Sequence, residues 1–264
     1  MPDEADELHK RAIRNYRRRA VVSNDVNQIW SVDLIDLLTL WPKNSGYRYI
    51  LCCVDVYTRY AYAVALKDKT ADVVLRGLKS IGIMPQKIWA DKGAEFYNAK
   101  MKAYLTSTHT EIYSTYGQHK SAIVERFNRT IKNWIFKYFT RHNTKRWVDI
   151  LPELIDFYNK KPHRGLKGIS PAEAMKPQNV EKTERAHNTI PYSGKLKQKY
   201  KVGYRVRVAL TKGPFGKGYE PNWSKDIYVI AEVKQTDPVT YKVSLDGSMR
   251  NGSFYAEELE RTHF

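Results

Sequence analysis

The sequence predicts a mixed α/β sheet with helices on its faces, followed by a small β-barrel. Between residues 29 and 177, extended runs rich in β-branched and aromatic residues alternate with helical patterns in the order βββαβαβααα. From 201 to 264 there are only short alternating strands, broken by Gly, Pro and Asp turns. Two polar, basic stretches flank these regions: 1–28 reads as an arm and 178–200 as a linker.

Taken in order, QIWSVDLIDLLTL, YRYILCCVDVYTRY and AYAVAL are three strands. The turn signals PKNSG at 42–46 and Thr58-Arg59 make them an antiparallel meander. TADVVLRGLKSIG reads as a helix capped by Thr70, with Val73, Val74 and Leu78 inward. KIWA is a short strand that runs into Asp91, and Gly93 lets the chain turn away and leave room for a ligand. FYNAKMKAYLTST is a helix and TEIYST a strand. KSAIVERFNRTIKNWIFKYFTRH is a long helix with an apolar stripe at Val124, Phe127, Ile131, Ile135 and Tyr138. Glu125, Arg129 and Lys132 fall on a neighbouring face. WVDILPELIDFYNKK is a further helix, and SPAEAM a short capped one. KVGYRVRVAL, DIYVIAEVKQ, TYKVSLD and GSFYAEEL build the barrel, while GPFGKGYE lacks the spacing of a phosphate loop.

The 264 residues carry 45 Lys+Arg against 28 Asp+Glu, a net charge of +17. Such an excess points to a polyanionic partner, nucleic acid ahead of membrane. No run is long and apolar enough to span a bilayer, and the N-terminus has no signal core. Cys52 and Cys53 are neighbours on a strand and face opposite ways, which argues against a disulfide or a cysteine zinc site and for a reducing compartment. The basic run Lys10–Arg19, with Arg17, Arg18 and Arg19 at its end, reads as a solvated arm, a strip along DNA phosphates or a nuclear address. Lys195, Lys197, Lys199, Lys201, Arg205 and Arg207 extend the basic surface. Tyr219, Trp223, Tyr228, Phe254 and Tyr255 admit a chromatin contact through an aromatic cage; the plainer reading is barrel core and DNA-facing surface.

Several acids sit in apolar surroundings. Asp33 lies between Val32 and Leu34; Asp36, at an odd offset, faces the other way; Asp55 is embedded in CCVDVY; Asp91 stands at the end of the KIWA strand; Glu125 sits on the long helix. Each could bond a backbone amide, and Glu125 could simply pair with Arg129. Two-metal phosphoryl transfer is the chemistry that needs three of them: oxygen ligands suit magnesium, and no Ser–His or Cys–His pair is required.

IWSVDLIDL, WADKGAEF and HKSAIVERFNRTIK resemble the three signature blocks of the retroviral-type integrase core, the DDE group with a ribonuclease-H-like fold. The likeness is greatest to integrases of Polinton/Maverick elements and gypsy-type retrotransposons. It spans 28–177, through FYNKKPHRGLKGISPAEAM, and 201–264 is similar to the SH3-like C-terminal domain of these integrases. The resemblance implies Asp33, Asp91 and Glu125 as catalytic triad and metal ligands, with two Mg2+ or Mn2+ ions per site. It places Asn128, Arg129 and Lys132 beside bound DNA, with Lys92 and Lys120 as further phosphate contacts. It also implies double-stranded DNA as partner, a dimer or tetramer on that DNA, and a nuclear location. Lys92 stands where the family commonly carries Asn, the Asp91–Glu125 spacing is shorter than is common, and no histidine/cysteine zinc module is visible. A ribonuclease-H-like nuclease and a domesticated DNA-binding protein are the alternatives.

Overall fold

The computed structural model describes residues 3–17, 21–114, 122–187, 198–210, 212, 217 and 219–264. The chain forms two compact units. The first holds the described residues from 21 to 187, and the second holds 3–17 with 198–264. The helices are α1 (Glu4–His9) in the second unit and, in the first, α2 (Ala71–Ser80), α3 (Ala99–Ser107), α4 (Ala122–His142), α5 (Leu151–Lys160), α6 (Pro171–Ala174) and α7 (Val180–His187).

The sheet of the first unit comprises β1 (Ile29–Asp36), β2 (Tyr49–Asp55), β3 (Ala61–Leu66), β4 (Lys87–Ala90) and β5 (Glu111–Tyr113), in the order β3-β2-β1-β4-β5. The meander β1–β2–β3 is antiparallel, whereas β4 runs parallel to β1 and β5 parallel to β4. Strand alternation divides the core into two layers. Trp30, Val32 and Cys53 pack with Val74, Leu78, Met101 and Leu105 under α2 and α3. Ile35, Cys52 and Val54 pack with Val124, Phe127, Ile131 and Ile135 under α4 and α5. The expected α4 stripe is buried except at Tyr138, where Phe139 takes the deeper position. A Cβ on Gly77 would lie 2.7 Å from Leu66, so the missing side chain lets α2 sit close to the sheet. Asn159 of α5 accepts from the Ala61 amide and donates to its carbonyl, both at 2.9 Å, clamping the edge strand β3.

In secondary structure, the first unit departs from the sequence reading at three elements. Residues 38–43 form a 3-10 turn instead of prolonging β1. Thr70 has the extended backbone of an N-cap, but its hydroxyl bonds Asp68 and makes no bond to α2. The stretch expected as a linker begins with α7, whose Thr183 and Ala186 are buried and whose His187 ring stacks on Tyr57 at 5.1 Å. Only a narrow side of α7 is buried, so its composition remains polar.

The second unit is an antiparallel sheet of β6 (Arg205–Val208), β7 (Tyr228–Lys234), β8 (Thr240–Leu245), β9 (Ser248–Met249), β10 (Phe254–Tyr255) and β11 (Leu259–Arg261). The order is β10-β8-β7-β6-β11, with β9 on β8. Val206, Val208, Ile230, Tyr241 and Val243 form its core. Contrary to the reading of 1–28 as a free arm, α1 packs on this sheet. Leu8 and Ala12 cover Trp223. The Asn222 and Trp223 amides donate to the Leu8 carbonyl at 2.8 and 3.2 Å. Below them Arg207 is fully buried: Nη2 donates to Glu4 Oε1 at 2.7 Å and Nε to Glu7 Oε2 at 3.0 Å. Its Nη1 donates to the Ser224 and Lys225 carbonyls. The acidic patch that opens the sequence is thus the counter-charge of a buried arginine. Among the described residues no helix is long and apolar enough to cross a membrane.

Candidate active site

Asp33 stands on the central strand β1, on the face that carries α4. Its same-face neighbours are Ser31 and Ile35, and the residue opposite it on β2 is Cys52. The last register pair between β1 and β4 is Val32 with Ala90. Asp33, still within β1, and Asp91, the residue after β4, follow that pair directly, so their backbones stand at the same level, about 4.8 Å apart. Both residues are half-buried.

The first turns of α4 are tied to the same point. The Val124 amide donates to Ser31 Oγ at 3.3 Å, and Asn128 Nδ2 donates to Asp33 Oδ2 at 2.9 Å. Ile123 packs against the cluster of Trp89, Val56 and Ile29. Glu125 lies between these anchors, and its side chain is exposed. Ser31 escapes a reading based on acids alone; its position two residues before Asp33, on the same strand face, is the signal that would have found it.

Beyond β4 the chain turns tightly, with the Phe96 and Tyr97 amides donating to the Gly93 carbonyl, both at 3.0 Å. A Cβ on Gly93 would meet the Glu95 carboxylate at 2.5 Å. That carboxylate is the end of a flexible side chain, so the contact alone does not require a glycine. Ser114 Oγ donates to the Ala90 carbonyl at 2.6 Å and meets Tyr97 Oη at 2.6 Å, bracing the backbone next to Asp91.

Among the described residues no three His, Cys, Asp or Glu side chains close into a metal-holding group. Like-charged carboxylates repel one another, and Glu125 extends into solvent. The donor set nevertheless fits a hard divalent cation, which takes carboxylate oxygens and retains waters. Asn128 Oδ1 supports this fit: it is buried and has no hydrogen-bond partner, although the same amide group holds Asp33. A metal-bound water would satisfy that acceptor.

The other acids have local duties. Asp36 Oδ1 accepts from the Leu38 amide at 2.8 Å. Asp55 accepts from the Thr58 amide at 3.1 Å and hydroxyl at 2.6 Å, and burial pushes its carboxyl up. Its partner on β1 is Trp30, three residues before Asp33 and so about 10 Å along the strand from the site.

The sequence-predicted DNA contacts divide into groups. Lys92, Arg129 and Lys132 are exposed in the first unit, and Lys199 and Arg205 in the second. Arg17 pairs with Asp237 at 2.9 Å. Arg18, Arg19, Lys120, Lys195 and Lys197 lie outside the described residues. Two expectations are corrected. Asn128 is buried and its amide is committed to Asp33, so it positions a carboxylate instead of reaching a phosphate. Arg207 has no exposed surface, because Glu4 and Glu7 neutralise it from within. Among the described residues, four of the five named aromatics of the second unit are packed against neighbours, while Tyr219 is exposed. Trp223 lies under Leu8, Arg250 covers the Tyr228 and Phe254 rings at 5.0 and 5.2 Å, and Tyr255 packs on Tyr16.

Residues 23–120 match the family model for the integrase core domain. A transposon-derived protein of Caenorhabditis elegans is 35% identical over 190 residues, 70% of this chain and 63% of that protein. The Gag-Pol polyprotein of feline leukemia virus is 30% identical over 153 residues, 55% of this chain but 9% of the polyprotein. The chain thus spans only part of each of these relatives. A chain of the cryo-EM structure of the simian T-cell lymphotropic virus intasome in complex with PP2A regulatory subunit B56 gamma aligns with a TM-score of 0.62. That alignment covers 98% of this chain and 87% of the other at 16% identity, a likeness of fold. The mixed sheet with flanking helices is the ribonuclease-H-like fold of an integrase catalytic core, and residues 23–120 carry the sequence likeness to the integrase core domain.

Proposed function

We propose that this chain is a DNA integrase or transposase, related to the enzymes of Polinton/Maverick and gypsy-type elements. It trims the 3′ ends of element DNA by hydrolysis and then joins each new 3′-hydroxyl to a target phosphodiester. The observation that carries this reading is the placement of Asp33 and Asp91 at one level on parallel strands, with Glu125 on the helix anchored beside them. Asp33, Asp91 and Glu125 would hold two Mg2+ or Mn2+ ions. Such ions supply activation of the attacking oxygen and stabilisation of the leaving one. In each reaction the attacking oxygen loses its proton and bonds to phosphorus, and the bond to the departing 3′-oxygen breaks.

The chain's own residues orient the reactants. Asn128 fixes the Asp33 carboxylate, and Ser31 holds the α4 backbone one residue before Glu125. Arg129 and Lys132 follow Glu125 at helical spacing and hold phosphates beside the site. Lys92 contacts a further phosphate, and Lys199 and Arg205 bind duplex through the second unit. Joining two DNA ends calls for a dimer or tetramer on DNA, and chromosomal targets place the work in the nucleus.

The test is a strand-transfer assay with duplex element ends in Mg2+. Joined product is expected from the wild-type chain, and Asp91→Asn turning over at a near-wild-type rate would refute the assignment. Asn128 gives an independent check as a positioning residue. Asn128→Ala should raise the Mg2+ needed for half-maximal activity about tenfold, with duplex affinity and melting temperature little changed. Lost duplex affinity at an unchanged Mg2+ requirement would restore Asn128 as a DNA contact.

A further inference from the structure

On the side of α4 away from the carboxylates, a cavity of about 240 Å3 lies between that helix and the end of α5. Arg59, Arg126, Lys161 and Arg164 line it together with His163, and none of its lining residues is an acid. Lys161 lies over the Trp134 ring at 5.4 Å, whereas Arg126 and Arg164 are exposed and pair with no carboxylate among the described residues. Arg59 feels the Asp55 carboxylate, whereas the exposed Arg126 and Arg164 add positive charge with no such neighbour among the described residues; like-charged guanidinium groups repel one another, and their planar forks match phosphate oxygens.

The surroundings are built to keep this arrangement. Arg59 occupies the β2–β3 turn at φ 60°, a backbone conformation that is strained for a residue with a side chain and clusters at ligand clamps. It is held there by a bond from its guanidinium to the Val56 carbonyl. His163 Nδ1 accepts from the Gly165 amide at 3.1 Å, which leaves Nε2–H as a donor. Burial, then Arg59 and Arg126, push the His163 pKa down to about 4, so the ring is neutral and the excess positive charge stays on the arginines. A Cβ on Gly165 would come to 3.0 Å from the His163 ring, so the ring packs closely over this glycine.

We propose that Arg59, Arg126 and Arg164, with the Nε2–H of His163, form a phosphate-binding pocket separate from the carboxylate site. The phosphate comes either from a DNA backbone or from a free anion. The inference does not depend on the proposed transposition chemistry.

The test uses the full chain and an Arg126→Gln/Arg164→Gln double variant, both changes being on exposed side chains and checked by a thermal melt. Pyrophosphate is titrated by calorimetry, and duplex affinity is followed against salt concentration. A saturable pyrophosphate site weakened at least about tenfold in the variant, with an unchanged salt slope, identifies a free anion. A salt slope reduced by about one unit or more identifies a DNA phosphate, since each lost phosphate contact lowers it by about 0.9. The proposal is overturned if neither quantity changes, or if Asp33→Asn, not the arginine variant, abolishes pyrophosphate binding.

Discussion

Asp33→Asn and Asp91→Asn are each expected to reduce strand transfer on the order of 10^3-fold while leaving the fold intact. The change removes one charge and keeps the side-chain volume. A carboxamide oxygen at position 33 can still accept from Asn128, so the link between β1 and α4 survives. What is lost is an anionic oxygen ligand in a set of three, and a metal-assisted step depends on such ligands by several kcal/mol; about 4 kcal/mol corresponds to that factor. Glu125→Gln should fall in the same range although Glu125 is exposed, because it is the only one of the three that α4 contributes. The measurement is joined product per unit time at saturating Mg2+, with melting temperature as the folding control. Activity within tenfold of wild type in all three variants would remove the carboxylates from the reaction.

Arg207→Met is expected to destabilise the packing of α1 on the second unit by about 3 kcal/mol. Breaking a buried ion pair by removing one partner costs roughly 3–5 kcal/mol, because the remaining charge is left uncompensated. The low end applies here: the Glu4 side chain is 53% exposed and can rehydrate, whereas Glu7 is 13% exposed and cannot do so without moving. The readout is native-state hydrogen exchange at the Asn222 and Trp223 amides, which are protected by the Leu8 carbonyl. Exchange there should accelerate about 10^2-fold. Glu4→Gln with Glu7→Gln should act in the same direction, since it leaves the buried guanidinium without its counter-charges. Unchanged exchange in both variants would show that Leu8, Ala12 and Trp223 hold the segment without the ion pairs.

These two results separate what can be read locally from what cannot. Helix identity follows from periodicity, which is a property of neighbouring residues: the stripe from Val124 to Ile135 survives intact in the structure. The acids of the candidate site stand out in the sequence for a related reason. A carboxylate inside an apolar strand or at its end is costly unless paired, so Asp33 and Asp91 stand out without knowledge of their surroundings. Asp55 stands out equally, and only the register, which places it beside Trp30, separates it from the site.

The sequence by itself determined the order of elements, the two regions of the chain and the candidate acids, because each rests on local pattern or on the cost of a single charge. The tertiary structure decided which charges face one another. Arg207 and Glu7 lie 200 residues apart in sequence, Asn128 and Asp33 lie 95 apart, and Arg59 joins a pocket whose other cations begin at residue 126. A basic residue that binds phosphate and one that neutralises a buried acid look alike in a sequence. They differ only in the solvent and counter-charge around them, which long-range packing alone supplies.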